Sequence, residues 1–167
     1  PTLTSETLLS DLNYGPGVQL GSIIISDGTN TTTLDLSGCV TVGDVLDLAG
    51  ATLPATTTLT LASSGARFRL ESTLPGADLT VLEGSSGTTA RDLGIFEPDG
   101  GGAAFDGQDV DPRLTWLTPL TALNEGSGLE TTGLTITNGS FTAAIGLTGV
   151  ETVGDLINRI NESGTYV

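Results

Sequence analysis

The chain has 167 residues, of which 37% are hydrophobic, and carries a net charge of −15. This length favours one domain or two small ones and allows a real core, while the apolar content argues against a disordered segment. There is no Lys, His or Met, and the only cations are Arg67, Arg69, Arg91, Arg113 and Arg159, so nucleic acid and anionic membrane are both poor partners.

The acidity reads first as a solvating surface, with ligation of cations as the alternative. The single Cys39 excludes an internal disulfide framework and reads as a small buried thiol. No apolar run approaches the ~18 residues of a membrane span. No charged segment followed by an apolar stretch marks a signal peptide. The start at Pro1 and the stop at Val167 read as those of an excised fragment.

In chain order, residues 1–13 suggest an opening strand or coil and a helical turn over 7–12, and residues 14–21 a glycine loop. Residues 22–48 predict strand, turn, strand and short helix. Two β-rich runs flank Asp27-Gly28, a strong hairpin signal because Asp and Gly tolerate positive φ. Thr41 opens an apolar-periodic segment in which Val42, Val45, Leu46 and Ala49 share one helical face, with Asp44 placed for a capping box. The helix is expected over 41–49, the unit ends near Gly50, and Pro54 blocks further helix. Strands follow at 57–62, 66–72 and 77–83, where Leu59, Leu61, Phe68, Leu70, Leu79 and Val81 alternate with polar residues, so one face of a sheet is buried. Residues 88–93 make one helical turn closed by Gly94, and Ile95-Phe96 a short strand or core plug. Residues 97–111 are expected to be an acidic, Gly-rich linker, with Phe105 and Val110 anchoring part of it.

From Pro112 the pattern returns. Laid over one another, 1–56 and 112–167 align without a gap, and 18 of the 56 pairs are identical, mostly turn glycines and core apolars. Such self-similarity sets the architecture. Strands are expected at 134–138 and 141–147, and a helix over 152–162 with Val153, Leu156, Ile157 and Ile160 as its apolar stripe. Thr165-Tyr166-Val167 would begin the next strand. The fold class expected is mainly β with short helices (α+β), built from repeated strand–turn–strand–helix units packed with extra β-hairpins. The domains are 1–96 as first repeat with spacer hairpins, 97–111 as linker and 112–167 as second, shorter repeat. The second repeat lacks an equivalent of 57–96, so Leu134, Ile136, Ile145, Leu156 and Ile160 are expected to pack on that spacer and share one core with the first.

No catalytic, cofactor-binding or metal site is assigned, and no enzyme is expected. Without His or Lys and with one Cys, the usual nucleophile–base sets are absent. Gly15-Pro16-Gly17 and Gly126-Ser127-Gly128 lack the strand–loop–helix order and the Lys of phosphate loops. Asp99, Asp106, Asp109 and Asp111 are the one plausible Ca²⁺ set, though their spacing matches no established calcium loop.

Leu-Asn-x-Gly-x-Gly, the Ile-x-Ile-x-Asp-Gly hairpin, Leu-Asp-Leu-Ser-Gly and the repeated Thr-Val-Gly-Asp together resemble the flagellin hook IN motif. Its closing Ile-Asn stands intact at Ile160-Asn161 and is replaced by Ala49-Gly50 in the first copy. Residues 59–96, with Thr88-Thr-Ala-Arg-Asp-Leu-Gly-Ile95, resemble the spacer of long repeat-bearing flagellar proteins. The resemblance implies a structural, outward-facing segment of a flagellin or hook-associated protein, outside the cell. Its partners would be other flagellar subunits, reached through heptad helices that this sequence does not contain. It also implies export as an unfolded chain without a cleaved signal, with which few aromatics and a single cysteine are compatible. The alternative is a calcium-stabilised extracellular adhesin or carbohydrate-binding β module, which should repeat its acidic cluster with each copy.

Overall fold

The computed structural model describes residues 1–84, 87–130 and 132–164. The fold is α+β, with small antiparallel sheets and short helices. The chain divides into a larger unit, Thr2–Arg113, and a smaller one that holds Leu114–Val167.

In the larger unit β1 (Ser22–Ser26) alternates half-buried and buried positions, which puts Ile23 and Ile25 into the core. It pairs antiparallel with β2 (Thr31–Asp35) from Ser22 opposite Asp35 to Ser26 opposite Thr31. The turn between them is shifted by one residue from the expected Asp27-Gly28. Asp27 donates its N–H to the Asn30 carbonyl (3.1 Å), so Gly28 and Thr29 are the central pair. Only Gly28 takes a positive φ (+87°), the pattern of a type II′ turn, which wants glycine first.

The helix α1 (Val42–Thr52) runs past the expected end at residue 49, straight through Gly50. It stops at Leu53, which is extended (φ −69°, ψ 150°) because a residue preceding proline is disfavoured in the helical region. Its face of Val42, Val45 and Ala49 is sealed in the core.

β3 (Thr57–Leu61) and β4 (Phe68–Ser72) form the next hairpin. β5 (Thr80–Glu83) does not extend it. After the Leu74-Pro75-Gly76 break it crosses to β1, giving one sheet of order β2-β1-β5 and a second of order β3-β4-β6, where β6 is Ala104–Asp106. The expected single spacer sheet is therefore two. Alternation showed that Leu79 and Val81 face the core, and that is correct, but it says nothing about which strand lies alongside. The short helix α2 (Thr89–Asp92) closes on Gly94 (φ +70°), with Gly94 N–H on the Arg91 carbonyl and Ile95 N–H on that of Ala90. These are the two bonds of a Schellman motif. A side chain on Gly94 would also meet the Gln108 carbonyl at 2.6 Å.

Residues 97–111, expected as a linker, are part of the larger unit. β6 (Ala104–Asp106) pairs with β4, the Val81–Glu97 bridge ties the start, and Val110 N–H bonds the Ala66 carbonyl at 2.9 Å. Val110 is buried and Phe105 packs on the core, so both anchors hold. Glycine and aspartate content imitates a linker here because the stretch makes turns, where those residues serve geometry.

The smaller unit contains β7 (Leu134–Asn138), β8 (Phe141–Ile145) and α3 (Val153–Glu162). Gly139 at φ +61° turns the hairpin. Among the described residues each unit has a core cluster of its own, where a single shared core was expected. In the smaller unit Leu120, Ile145, Leu147 and Val150 are buried, and Leu134, Ile136, Leu156 and Ile160 pack half-buried on them. The strand expected at Thr165-Tyr166-Val167 lies outside the described residues.

Candidate functional site

The motif residues converge at the N-terminus of each long helix. Four helix-starting N–H groups have no intrahelical partner and must be satisfied from elsewhere. In α1 the Val42 N–H donates to the Thr7 carbonyl (2.9 Å) and the Gly43 N–H to the Ser5 carbonyl (2.9 Å). The Asp44 N–H donates to Thr41 Oγ1 (3.1 Å). Asp44 Oδ2 in return accepts the Thr41 and Val40 N–H groups, both at 2.8 Å. Segment 4–9 is thereby strapped across the helix end, and Thr7 Oγ1 holds the strap by accepting the Thr4 N–H at 3.0 Å. The backbone bonds to Asp44 pull its carboxyl below the usual range.

Gly43 is helical, not a turn residue. A Cβ there would stand 2.9 Å from the Ser5 carbonyl oxygen. Thr-Val-Gly-Asp therefore combines cap, core contact, close approach and counter-cap in four consecutive residues.

The same corner recurs at the start of α3. Val153 N–H donates to Thr118 O (2.9 Å), Gly154 N–H to Trp116 O (2.8 Å), and Asp155 N–H to Thr152 Oγ1 (3.1 Å). Thr118 Oγ1 accepts the Thr115 N–H at 2.9 Å. Asp155 Oδ2 closes the box on Thr152 and Glu151, and its carboxyl is likewise lowered, first by the Thr152 side chain. A Cβ on Gly154 would lie 2.8 Å from both the Trp116 carbonyl and its ring, so the lone tryptophan covers this glycine.

The glycine loops are spent on turns. Gly15 and Gly17 N–H groups both bond the Leu12 carbonyl, and Gly126 and Gly128 both bond that of Leu123. Asn13 sits at φ 56° and Asn124 at φ 52°. Asn13 holds that costly conformation with its own amide, which donates to Gly17 O (3.1 Å) and Asp92 O (2.9 Å).

The acidic stretch does not converge. Asp106 pairs with Arg69 (2.7 Å), Asp109 with Arg67 and the Ala66 N–H, and Asp111 accepts from the Tyr14 hydroxyl (3.0 Å), while Asp99 is exposed. Among the described residues no three His, Cys, Asp or Glu side chains gather to hold a metal ion. Arg91 pairs with Glu83 (3.8 Å) and lies over the Phe96 ring, 3.8 Å from its centroid, and Arg113 pairs with Asp11 (2.8 Å). Cys39 is buried, which together with Asp44 and Asp35 raises its thiol above the ordinary value.

Sequence reasoning missed what two polar residues do. Asp27 is 2% exposed. It accepts the Asn30 N–H (2.7 Å), the Thr29 N–H (3.0 Å) and the Thr57 hydroxyl (3.2 Å), tying the β1–β2 turn to the start of β3. These bonds, led by the Asn30 N–H, hold its pKa at about 2. Glu83, at the end of β5, accepts the Ala90 (2.9 Å) and Arg91 (3.0 Å) N–H groups and so caps α2. The Asp-Gly signal located Asp27 without its burial, and nothing in a strand-ending Glu identifies it as the cap of the next helix.

No family model, curated protein or solved structure matches this chain. No described helix is long and apolar enough to cross a membrane.

Proposed function

We propose that this chain is a structural, non-catalytic segment of the bacterial flagellum, displayed outside the cell as a repeat region of a flagellin or hook-associated protein. Its two strand–turn–strand–helix regions are copies of one module, and the first carries the extra hairpins between its helix and the second. The observation that carries this reading is the helix corner, whose strap, cap and glycine contacts recur at matching positions of the two aligned segments. The residues that make the corner are those of the flagellin hook IN motif resemblance. A corner whose donors are consumed internally suits a scaffold whose task is shape, and the surface charge keeps neighbouring segments apart. Asp106 and Asp109 of the acidic stretch hold arginines and a main-chain amide of the same unit, which favours this reading over the calcium-stabilised one.

Antibodies raised against purified residues 1–167 should decorate sheared flagella in immunogold electron microscopy of the source cells. Label confined to the cell wall would reject the flagellar reading and turn attention to an adhesin.

A further inference from the structure

The two hairpins differ in what lies along the outer edge of their first strand. β1 carries β2 on one edge and β5 on the other, with Ile23 opposite Glu83, Ile25 opposite Val81 and Ser26 opposite Thr80. The pairing extends at both ends, through Gly84 N–H on Ser22 O (2.7 Å) and Asp78 N–H on Asp27 O (3.3 Å). β7 keeps with β8 the register that β1 keeps with β2, and among the described residues no strand pairs with its other edge. Exposed edges are usually blunted by a charge, a proline or a bulge, yet β7 reads Leu-Thr-Ile-Thr-Asn.

Burial points the same way independently. Ile23, Ile25 and Val45 are sealed, whereas Leu134, Ile136 and Leu156, which align with them, are only half-buried. Leu3 is 7% exposed and its aligned partner Leu114 is 58% exposed. In the larger unit β5 lies against β1 and β3 against α1, and β7 and α3 have no such strands beside them among the described residues.

We propose that the outer edge of β7 is the acceptor for an antiparallel strand of the β5 type, one that alternates as Thr80–Glu83 does. Its register puts a Glu83 counterpart opposite Leu134, a Val81 counterpart opposite Ile136 and a Thr80 counterpart opposite Thr137. Main-chain bonds supply the pairing, and the Val81 counterpart covers the half-buried face. The proposal rests on reading the two units as copies of one module.

The test is the full chain extended past Val167 by a second copy of residues 57–111, followed by amide hydrogen exchange. The outward N–H groups of β7 should gain at least tenfold protection over the unextended chain. A Val81→Pro change confined to the added copy should abolish the gain, because proline cannot sustain the ladder. An added copy that folds without protecting β7, or that stays unstructured, overturns the proposal. Protection that rises with concentration in the unextended chain assigns the edge to a second molecule and also overturns it. If an experimental structure superposes the two units while β7 stays unprotected, the acceptor fails and the repeat stands.

Discussion

Asp27 is a buried carboxylate with no cation against it, held ionised by N–H and O–H donors. Its folded pKa of about 2 lies below the unfolded value near 4, so the folded state binds its proton less readily. The stabilisation is full above about pH 4 and is lost as pH falls through about 2, and it amounts to about 2 kcal/mol. Urea unfolding from pH 6 down to pH 2 should show this loss, and Asp27→Asn should be less stable at neutral pH with a flatter acid limb. Asp44 and Asp155 shift in the same direction, so the difference between the two proteins isolates Asp27. Cys39 makes a second residue-scale case. Val150 is the residue that aligns with it, and it is also buried. Cys39→Val should therefore change stability by less than about 1.5 kcal/mol. The native thiol should resist a disulfide reagent that labels it at once in denaturant.

At the scale of elements, Gly43 and Gly154 oppose two rules. Glycine within a helix costs about 1 kcal/mol relative to alanine, so Gly154→Ala should stabilise α3 on propensity alone. A Cβ 2.8 Å from the Trp116 carbonyl forbids it. Strain on forced overpacking is about 1–3 kcal/mol, so the expected outcome is a lower melting temperature for the smaller unit. Thr152→Ala should cost about 1 kcal/mol through the cap, and an increase on either change would refute this account of the corner. Both helices and their capping boxes were legible because a cap is written in adjacent residues. The crossing of β5 to β1 was not, since Leu79 and Val81 alternate identically beside either neighbour. The role of glycine in Thr-Val-Gly-Asp was also hidden, because its contact, Ser5 or Trp116, lies far upstream, on the other side of a whole hairpin.

At the scale of the molecule, a core in each unit predicts independent unfolding. A chain ending after Arg113 retains β6, the Val110 contact and the Arg113–Asp11 pair. It should melt at the midpoint of the larger unit in the full chain, and a marked drop would restore the shared core. Sub-millimolar Ca²⁺ or EDTA should leave both midpoints unchanged, since a ligand of the native state raises stability. The composition made the acidic surface legible, but not the use of Asp106 and Asp109 as partners for arginines on and beside β4. Those pairings depend on β6 completing that sheet, a long-range event that no local pattern records.

Trp116 rests on Gly154 in the smaller unit, and the chain has no other tryptophan. Nature has in effect installed one optical label on one side of a two-part molecule. Indole emission therefore follows the smaller unit alone, whereas far-ultraviolet circular dichroism sums over both. Recorded on one sample, the two signals form an internal test of cooperativity: overlapping curves mean a single transition, and separated curves give each unit its own stability without cutting the chain.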